Sequence, residues 1–402
     1  MLRDMLSPLM PNARELLESS KPWLFDEDSA ADLALLHAIG VLGSMRESEL
    51  APFFRGTLER GSDEQGYVEE YAVVYPACNG PGNVTSDSAV HATRRRLLRQ
   101  VTDGLLAVAT VARTTSDHLA GRYYWLTRKG TRRVLEAGYR VRTRQNIDNM
   151  THVGSVQDQH RLLEQQYIIA RRLINPSTRV WGEYAIRSGL ARQPVPKTSA
   201  SEPATVKQQL VAMASELYLT PEELGREGVA NTEVNRRYFT RRPDVLLLDE
   251  EGERERYRAA TGLNLASRQP HVFGDVDWTE VEASKKDSVT QAKSFNGIFY
   301  LGRMLDVSLE RGLVTRVTLV TRNHPHTNLR AKLLDEYERW LARSDIQTML
   351  KKHARLTRSF SPERLNQQVW VAELTQDSEH RLTGIRMESV ESRFLRERRG
   401  GA

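Results

Sequence analysis

From Asp28 onward, apolar residues recur at three- and four-residue steps. Leu33, Leu36 and Val41, with His37 and Gly40 between them, mark one face of a helix that Asp28 or Ser29 is placed to cap. Gly43-Ser44 ends it, and ESELAPFF supplies a second, shorter helix. A third arrives as SDSAVHATRRRLLRQVTDG. Ser86 to Ser88 offer its caps, Val90, Leu97, Leu98 and Val101 form the expected buried stripe, and Gly104 stops it. Two β-like runs follow, LLAVATVAR and RYYWLT, joined by the polar TTSDHLAG, and then a helix from Arg128 or Lys129 to Ala137. Residues 57–85, rich in Gly, Glu and Tyr with an extended piece at 71–75, read as an insertion between the second and third helices. Residues 1–27, broken by Pro8, Pro11 and Pro22, read as a leader.

Helix, helix, basic helix, hairpin, helix is the element order of a winged helix-turn-helix, which predicts a DNA-binding domain over residues 28–138. Arg94, Arg95, Arg96 and Arg99 crowd the polar side of the third helix and are the expected contacts to duplex DNA. Arg122 in the wing and Arg128 and Lys129 beyond it extend that footprint. The plainer reading of the same charges is a solvated basic helix on a protein-interaction wing.

After a polar, basic linker at 139–154, the pattern changes. VQDQHRLLEQQYIIARRLI is an amphipathic helix with His160 and Glu164 one turn apart, and TRVWGEYAIRSG reads as a strand. Residues 190–236 turn to Pro, Ser, Lys and Glu and read as an insertion or lid. Strands at RPDVLLLD, WTEVEAS, VTRVTLVTR and QQVWVAEL then alternate with helices at about 287–305 and at LRAKLLDEYERWLAR. Residues 155–390 are thus expected to form a mixed sheet with flanking helices, the whole chain being α/β (α+β), with a basic tail at 391–402.

Two of these strands carry acids at their ends. Asp244 opens one, while Glu280 and Glu282 share a face of another because strand side chains alternate with period 2. Carboxylates so placed, with a lysine just beyond, suit Mg²⁺ or Mn²⁺ beside a phosphate, the layout of a PD-(D/E)xK restriction-endonuclease-like core. Lys285 falls on the opposite face from Glu282. A bulge at Ala283-Ser284 would bring it back, or Lys286 would reach from the next helix.

Charge and composition narrow the choices. Lys and Arg number 58 against 52 Asp and Glu, so the net +6 is modest for 402 residues and nucleic-acid contact is expected from local patches. Cys78 is the only cysteine, which excludes an internal disulfide framework and a zinc ribbon and fits a reducing cytoplasm. No run of 18 apolar residues predicts a membrane span, and no GxxxxGK[ST] supports an ATPase. His324 and His326 in NHPHTN offer a different chemistry, the histidine metal site of a tyrosine relaxase. Pro325 between them suits a strand end better than a central ladder.

Taken together, the three-helix and hairpin order, the helix with His160, the WGE strand, RPDVLLLD, WTEVEASKKDS and Tyr300 resemble the replication-relaxation family. That family includes MobC-type conjugative relaxases, and the likeness spans residues 30–375 apart from the two insertions. The resemblance implies a winged helix that recognises an origin of transfer or replication, followed by a nuclease-like domain that nicks that DNA, in company with relaxosome or replication proteins. It implies metal ligation by Asp244 and Glu282, with Lys285 polarising the scissile phosphate. Glu183 is a further acidic position, and Glu280, Lys286 and Ser288 give support. The alternative it leaves is a non-catalytic DNA-binding regulator or replication-initiation factor.

Overall fold

A computed structural model describes residues 27–61, 68–77, 81–111, 121–137, 156–175, 178–182, 244–249, 275–282, 295, 316–324, 326–348, 351, 366 and 368–391. The architecture is mixed α and β, with antiparallel and parallel strand pairs. Among the described residues no helix is long and apolar enough to cross a membrane. The chain divides into two compact units. One comprises Met1–Glu64, Glu69–Val180 and Leu374–Arg386; the other comprises Gln65–Val68, Trp181–Glu373 and Met387–Ala402.

The first unit opens with α1 (Glu27–Leu42), β1 (Met45–Arg46) and α2 (Glu47–Arg55). Gly43, at φ 92°, makes the turn out of α1 that a side-chain-bearing residue resists. After the antiparallel ribbon of β2 (Thr57–Arg60) and β3 (Val68–Val74) come α3 (Ser86–Thr102), the hairpin β4 (Leu106–Val111) and β5 (Gly121–Leu126), and α4 (Arg128–Glu136). The two-residue β1 pairs with β5, Met45 opposite Tyr124, so a three-stranded sheet of order β1-β5-β4 backs the helices. Leu35, Ile39, Met45, Leu50, Leu97, Tyr124 and Val134 are fully buried in this unit.

Thr85 caps α3, its hydroxyl accepting from the Ser88 N–H at 3.2 Å, one residue before the expected Ser86 to Ser88. Gly104, at φ 70°, ends the helix as expected. The turn into α4 is tightly specified. Thr127 accepts from the Gly130 N–H at 3.0 Å and donates to the Gly104 carbonyl at 2.7 Å, and a Cβ on Gly130 would lie 2.1 Å from the Leu105 carbonyl oxygen. The Leu-Thr-x-x-Gly spacing of this junction is therefore a steric requirement. The buried stripe of α3 differs from the expected one. Ala89, Val90, Thr93, Leu97 and Gln100 face inward, whereas Leu98 is 36% exposed and Val101 only half-buried. Leu98 sits about 100° around the helix from Leu97, and the polar Thr93 and Gln100 take the inward positions instead.

The long α5 (Val156–Ile174) belongs to this unit too, with Gln165 donating to the Leu42 carbonyl at 3.0 Å. So does the turn between β10 (Val369–Gln376) and β11 (Leu382–Ser389), where the local strand order is β2-β3-β11-β10. Strand β11 has no counterpart in the sequence reading. Gly384 brings it against β3, with no room for a Cβ beside the Tyr71 carbonyl oxygen, 2.5 Å away.

In the second unit the order is β11-β10-β9-β8-β7-β6, built from β6 (Arg179–Gly182), β7 (Val245–Asp249), β8 (Asp275–Val281) and β9 (Arg316–Arg322). Strand β8 is antiparallel to β7, Val245 opposite Thr279, and parallel to β9, Glu280 opposite Leu319. Val317, Leu319 and Val320 are fully buried and Thr318 and Thr321 are 1% exposed, so both faces of this central strand are covered. The helix α6 (Leu329–Leu341), capped by Asn328, contributes Tyr337 and Trp340, which pack with Phe295 at ring separations of 5.8 and 5.9 Å. Burial pushes the Tyr337 phenol well above its ordinary range.

Candidate functional site

The arginines of α3 separate into two groups. Arg94 turns inward to Glu47 of α2, its Nε donating at 2.7 Å to a carboxylate that is 8% exposed. Arg96 reaches Asp32 of α1 at 2.9 Å and lies 5.4 Å from the centre of the Phe54 ring. Gln100 adds a second tie to α1, donating to the Asp32 carboxylate at 3.0 Å. Arg95 and Arg99, one turn apart, are exposed, and the outward face runs Asp87, His91, Arg95, Arg99 at four-residue steps. Four arginines adjacent in sequence thus do two jobs: two lock α3 to α1 and α2, and two present charge to solvent.

The remaining members of the predicted footprint lie along the hairpin and α4. Arg122 sits opposite Thr110 on the wing and is half-buried. Arg128 is exposed at the start of α4, while Lys129 donates to the Asp103 carbonyl at 2.8 Å, a cation at the C-terminal end of α3. Glu47 also acts on Tyr124 of β5. Burial first, and the Glu47 carboxylate second, push that phenol up to about 12.

The carboxylate set of the second unit gathers where β7 begins and β8 ends. The Asp244 N–H donates to the Thr279 carbonyl at 3.0 Å, and its Oδ2 accepts from the Val281 N–H at 2.8 Å. Glu280 is 2% exposed and accepts from the Trp278 indole at 2.8 Å. Glu282, just past the strand and 5% exposed, donates its backbone N–H to the Val320 carbonyl at 2.7 Å. Register explains the gathering: continuing the β7–β8 pairing by one residue sets Asp244 opposite Glu280. On the other face of β8, Asp277 is 1% exposed and accepts from Thr318 at 2.9 Å.

Lys285, Lys286, Ser288, Glu183 and Tyr300 lie outside the described residues, as does the supposed bulge at Ala283-Ser284. Among the described residues no group of three or more His, Cys, Asp or Glu side chains is gathered closely enough to hold a metal ion. His324 and His326 flank the end of β9, with rings 6.0 Å apart and the His326 N–H donating to His324 Nδ1 at 3.2 Å.

Some charged groups were not singled out by the sequence. Arg330, in the first turn of α6, pairs with the fully buried Glu388 of β11 and lies 3.4 Å from Glu373 of β10. Arg381, at the β10–β11 turn, pairs with Asp87 at the first turn of α3. No local signal announces either pair, because the partners are 58 and 294 residues apart. The chain matches no protein-family profile, no curated protein and no solved structure.

Proposed function

We propose that this chain binds the duplex DNA of a plasmid or other mobile element through a winged helix formed by α1 to α4, and nicks it at the Asp244–Glu280–Glu282 edge. The observation that carries the reading is the sorting of the α3 arginines. Arg94 and Arg96 are held inside by acids, whereas Arg95 and Arg99 stay exposed on a helix flanked by a hairpin. Exposed arginines on a helix of this kind match the electrostatic footprint of phosphate contact. The short β1 strand closing onto the hairpin supports the same reading, and so does the resemblance of the sequence to the replication-relaxation family.

The donor set of the strand edge suits a hard divalent cation, since it consists of carboxylate oxygens. The bonds from the Val281 N–H and the Trp278 indole fix where the Asp244 and Glu280 carboxylates stand at that edge. As they stand, Asp244, Glu280 and Glu282 are not gathered closely enough to share an ion; in the nuclease reading they would close on Mg²⁺ or Mn²⁺, which when bound activates water and offsets charge on the phosphate. Lys285 or Lys286 would face the scissile group.

A second reading, a DNA-binding regulator or replication-initiation factor without nuclease activity, is favoured by the bonds Asp244 and Glu280 already make to neighbouring N–H groups. One experiment separates the two: incubation with supercoiled plasmid with and without Mg²⁺ or Mn²⁺, alongside Asp244→Ala and Glu282→Ala. Metal-dependent nicking lost in both variants, with duplex binding retained, supports the nuclease. Binding without nicking or metal uptake leaves the regulator.

A further inference from the structure

The outward face of α3 begins with an acid. Asp87, 72% exposed in the first turn, stands two turns before Arg95 on the face that the DNA-binding reading gives to the duplex. A phosphate backbone following Arg95 and Arg99 toward the start of the helix meets this carboxylate. Its present partner is the Arg381 guanidinium, which also pairs with Glu379 and lies 3.9 Å from Asp377.

The arginine is delivered by a rigid turn. The Asp377 carboxylate accepts from the Glu379 and Arg381 N–H groups, each at 2.9 Å, and His380 takes a positive φ of 61°. Gln166 of α5, 1% exposed, donates to the His380 carbonyl at 2.8 Å and accepts from Gln376 at 2.6 Å. The backbone of the turn is therefore fixed against α5, while the acids around Arg381 are mostly solvent-facing: Glu379 is 67% exposed. The Arg381 side chain is itself 14% exposed, so a fixed cation lies under two solvent-facing carboxylates, Asp87 and Glu379, beside a basic helix face.

We propose that Arg381 is a phosphate contact of the duplex-binding face, held by Asp87 in the free protein and transferred to a DNA phosphate on binding. The inference rests on the DNA-binding reading of α3. Guanidinium pairs as well with phosphate as with carboxylate, forming two parallel charge-assisted hydrogen bonds. A duplex brings several phosphates at once, whereas Asp87 is a single exposed carboxylate whose pairing in water is weak.

The test is binding of a fluorescein-labelled random-sequence duplex, titrated across a series of KCl concentrations, to the full chain and its Arg381→Gln, Asp87→Asn and double variants. Arg381→Gln is expected to weaken binding several-fold and reduce the log–log salt slope by about 0.9, the loss of one phosphate contact. Arg381→Lys, which keeps the charge, is expected to keep the slope and covers the case in which the glutamine variant folds poorly. Asp87→Asn is expected to tighten binding, and more so when Arg381 is present than when it is glutamine, because it removes the competitor for the guanidinium. A gain from Asp87→Asn that is as large or larger in the Arg381→Gln background would mean that Arg381 merely neutralises Asp87, and would overturn the exchange. An unchanged slope in Arg381→Gln would do the same. Binding that depends on Arg95 and Arg99 yet ignores Arg381 overturns this inference alone; failure of the native chain to bind duplex overturns both.

Discussion

Helix α3 and strand β8 both bury charged side chains, and they satisfy them in opposite ways. On α3 the inward arginines meet full countercharges from other helices, Glu47 at 2.7 Å and Asp32 at 2.9 Å. At β7 and β8 the acids take hydrogen bonds from uncharged donors, among them a backbone N–H for Asp244, an indole for Glu280 and a threonine hydroxyl for Asp277. The difference has consequences for function. Ion pairs cancel charge and fix one helix against another, and Arg95 and Arg99 carry the positive charge of the outer face of α3. Hydrogen bonds from neutral donors set the direction a carboxylate faces, so the β7–β8 edge is specified by where its N–H and O–H groups stand. In the proposed function the first element would meet an anion and the second a cation.

The largest expected effect concerns the exception to this contrast in the second unit. Arg330 is the countercharge for Glu388, which has no exposed surface. Arg330→Met withdraws this cation from the buried Glu388 and from Glu373, and is expected to cost about 3–5 kcal/mol in urea unfolding. The double variant Arg330→Met, Glu388→Met should recover most of the loss, since removing both charges of a buried pair is often nearly neutral. A single-variant loss below about 1 kcal/mol would show that partners other than Arg330 satisfy Glu388.

A smaller effect sharpens the division within α3. Arg94→Ala withdraws the cation from a largely buried Glu47 and is expected to cost roughly 1–3 kcal/mol. Arg95→Gln with Arg99→Gln should change stability by no more than about 0.5 kcal/mol, because both residues are exposed. Duplex binding should respond in the reverse sense, the double variant losing salt slope of about 0.9 for each phosphate contact removed. Equal stability losses from the two substitutions would dissolve the distinction between inward and outward arginines.

That distinction marks where sequence reading stops. Helical period located the arginines and strand period put Glu280 and Glu282 on one face, because both patterns are local. Telling Arg94 from Arg95 required knowing that Glu47 lies beneath α3, a contact 47 residues away. Leu98 was misplaced for a related reason: hydrophobicity assigned it to the core, but packing took Thr93 and Gln100, whose hydrogen bonds to the Ala89 carbonyl and to Asp32 make their burial tolerable. Strand β11 went unread because its apolar and polar residues alternate imperfectly around Gly384, a residue required by the neighbouring backbone. The approach of Asp244 to Glu280 was legible as two strand ends, but their opposition depends on register, which no single strand encodes.

The smallest effect is a dependence on alkaline pH, and it tests whether Glu47 acts beyond Arg94. Tyr124 has no exposed surface, and burial together with Glu47 raises its phenol from about 10 to about 12. A raised pKa means that the folded state keeps the proton longer than the unfolded chain does. The stabilisation is therefore whole below the unfolded value and declines as pH rises from about 10 toward about 12, where the unfolded phenol is already ionised. Tyr124→Phe has no proton to lose, so its stability should fall less steeply over that interval, although other tyrosines still titrate. Glu47→Gln should move the native protein part of the way toward the same behaviour by removing the nearby negative charge while leaving the burial unchanged. Urea midpoints measured on either side of about pH 10 would decide the matter. Parallel declines for the native chain and Tyr124→Phe would mean that the buried charges of this unit act on one another only in pairs, and that Glu47 serves Arg94 alone.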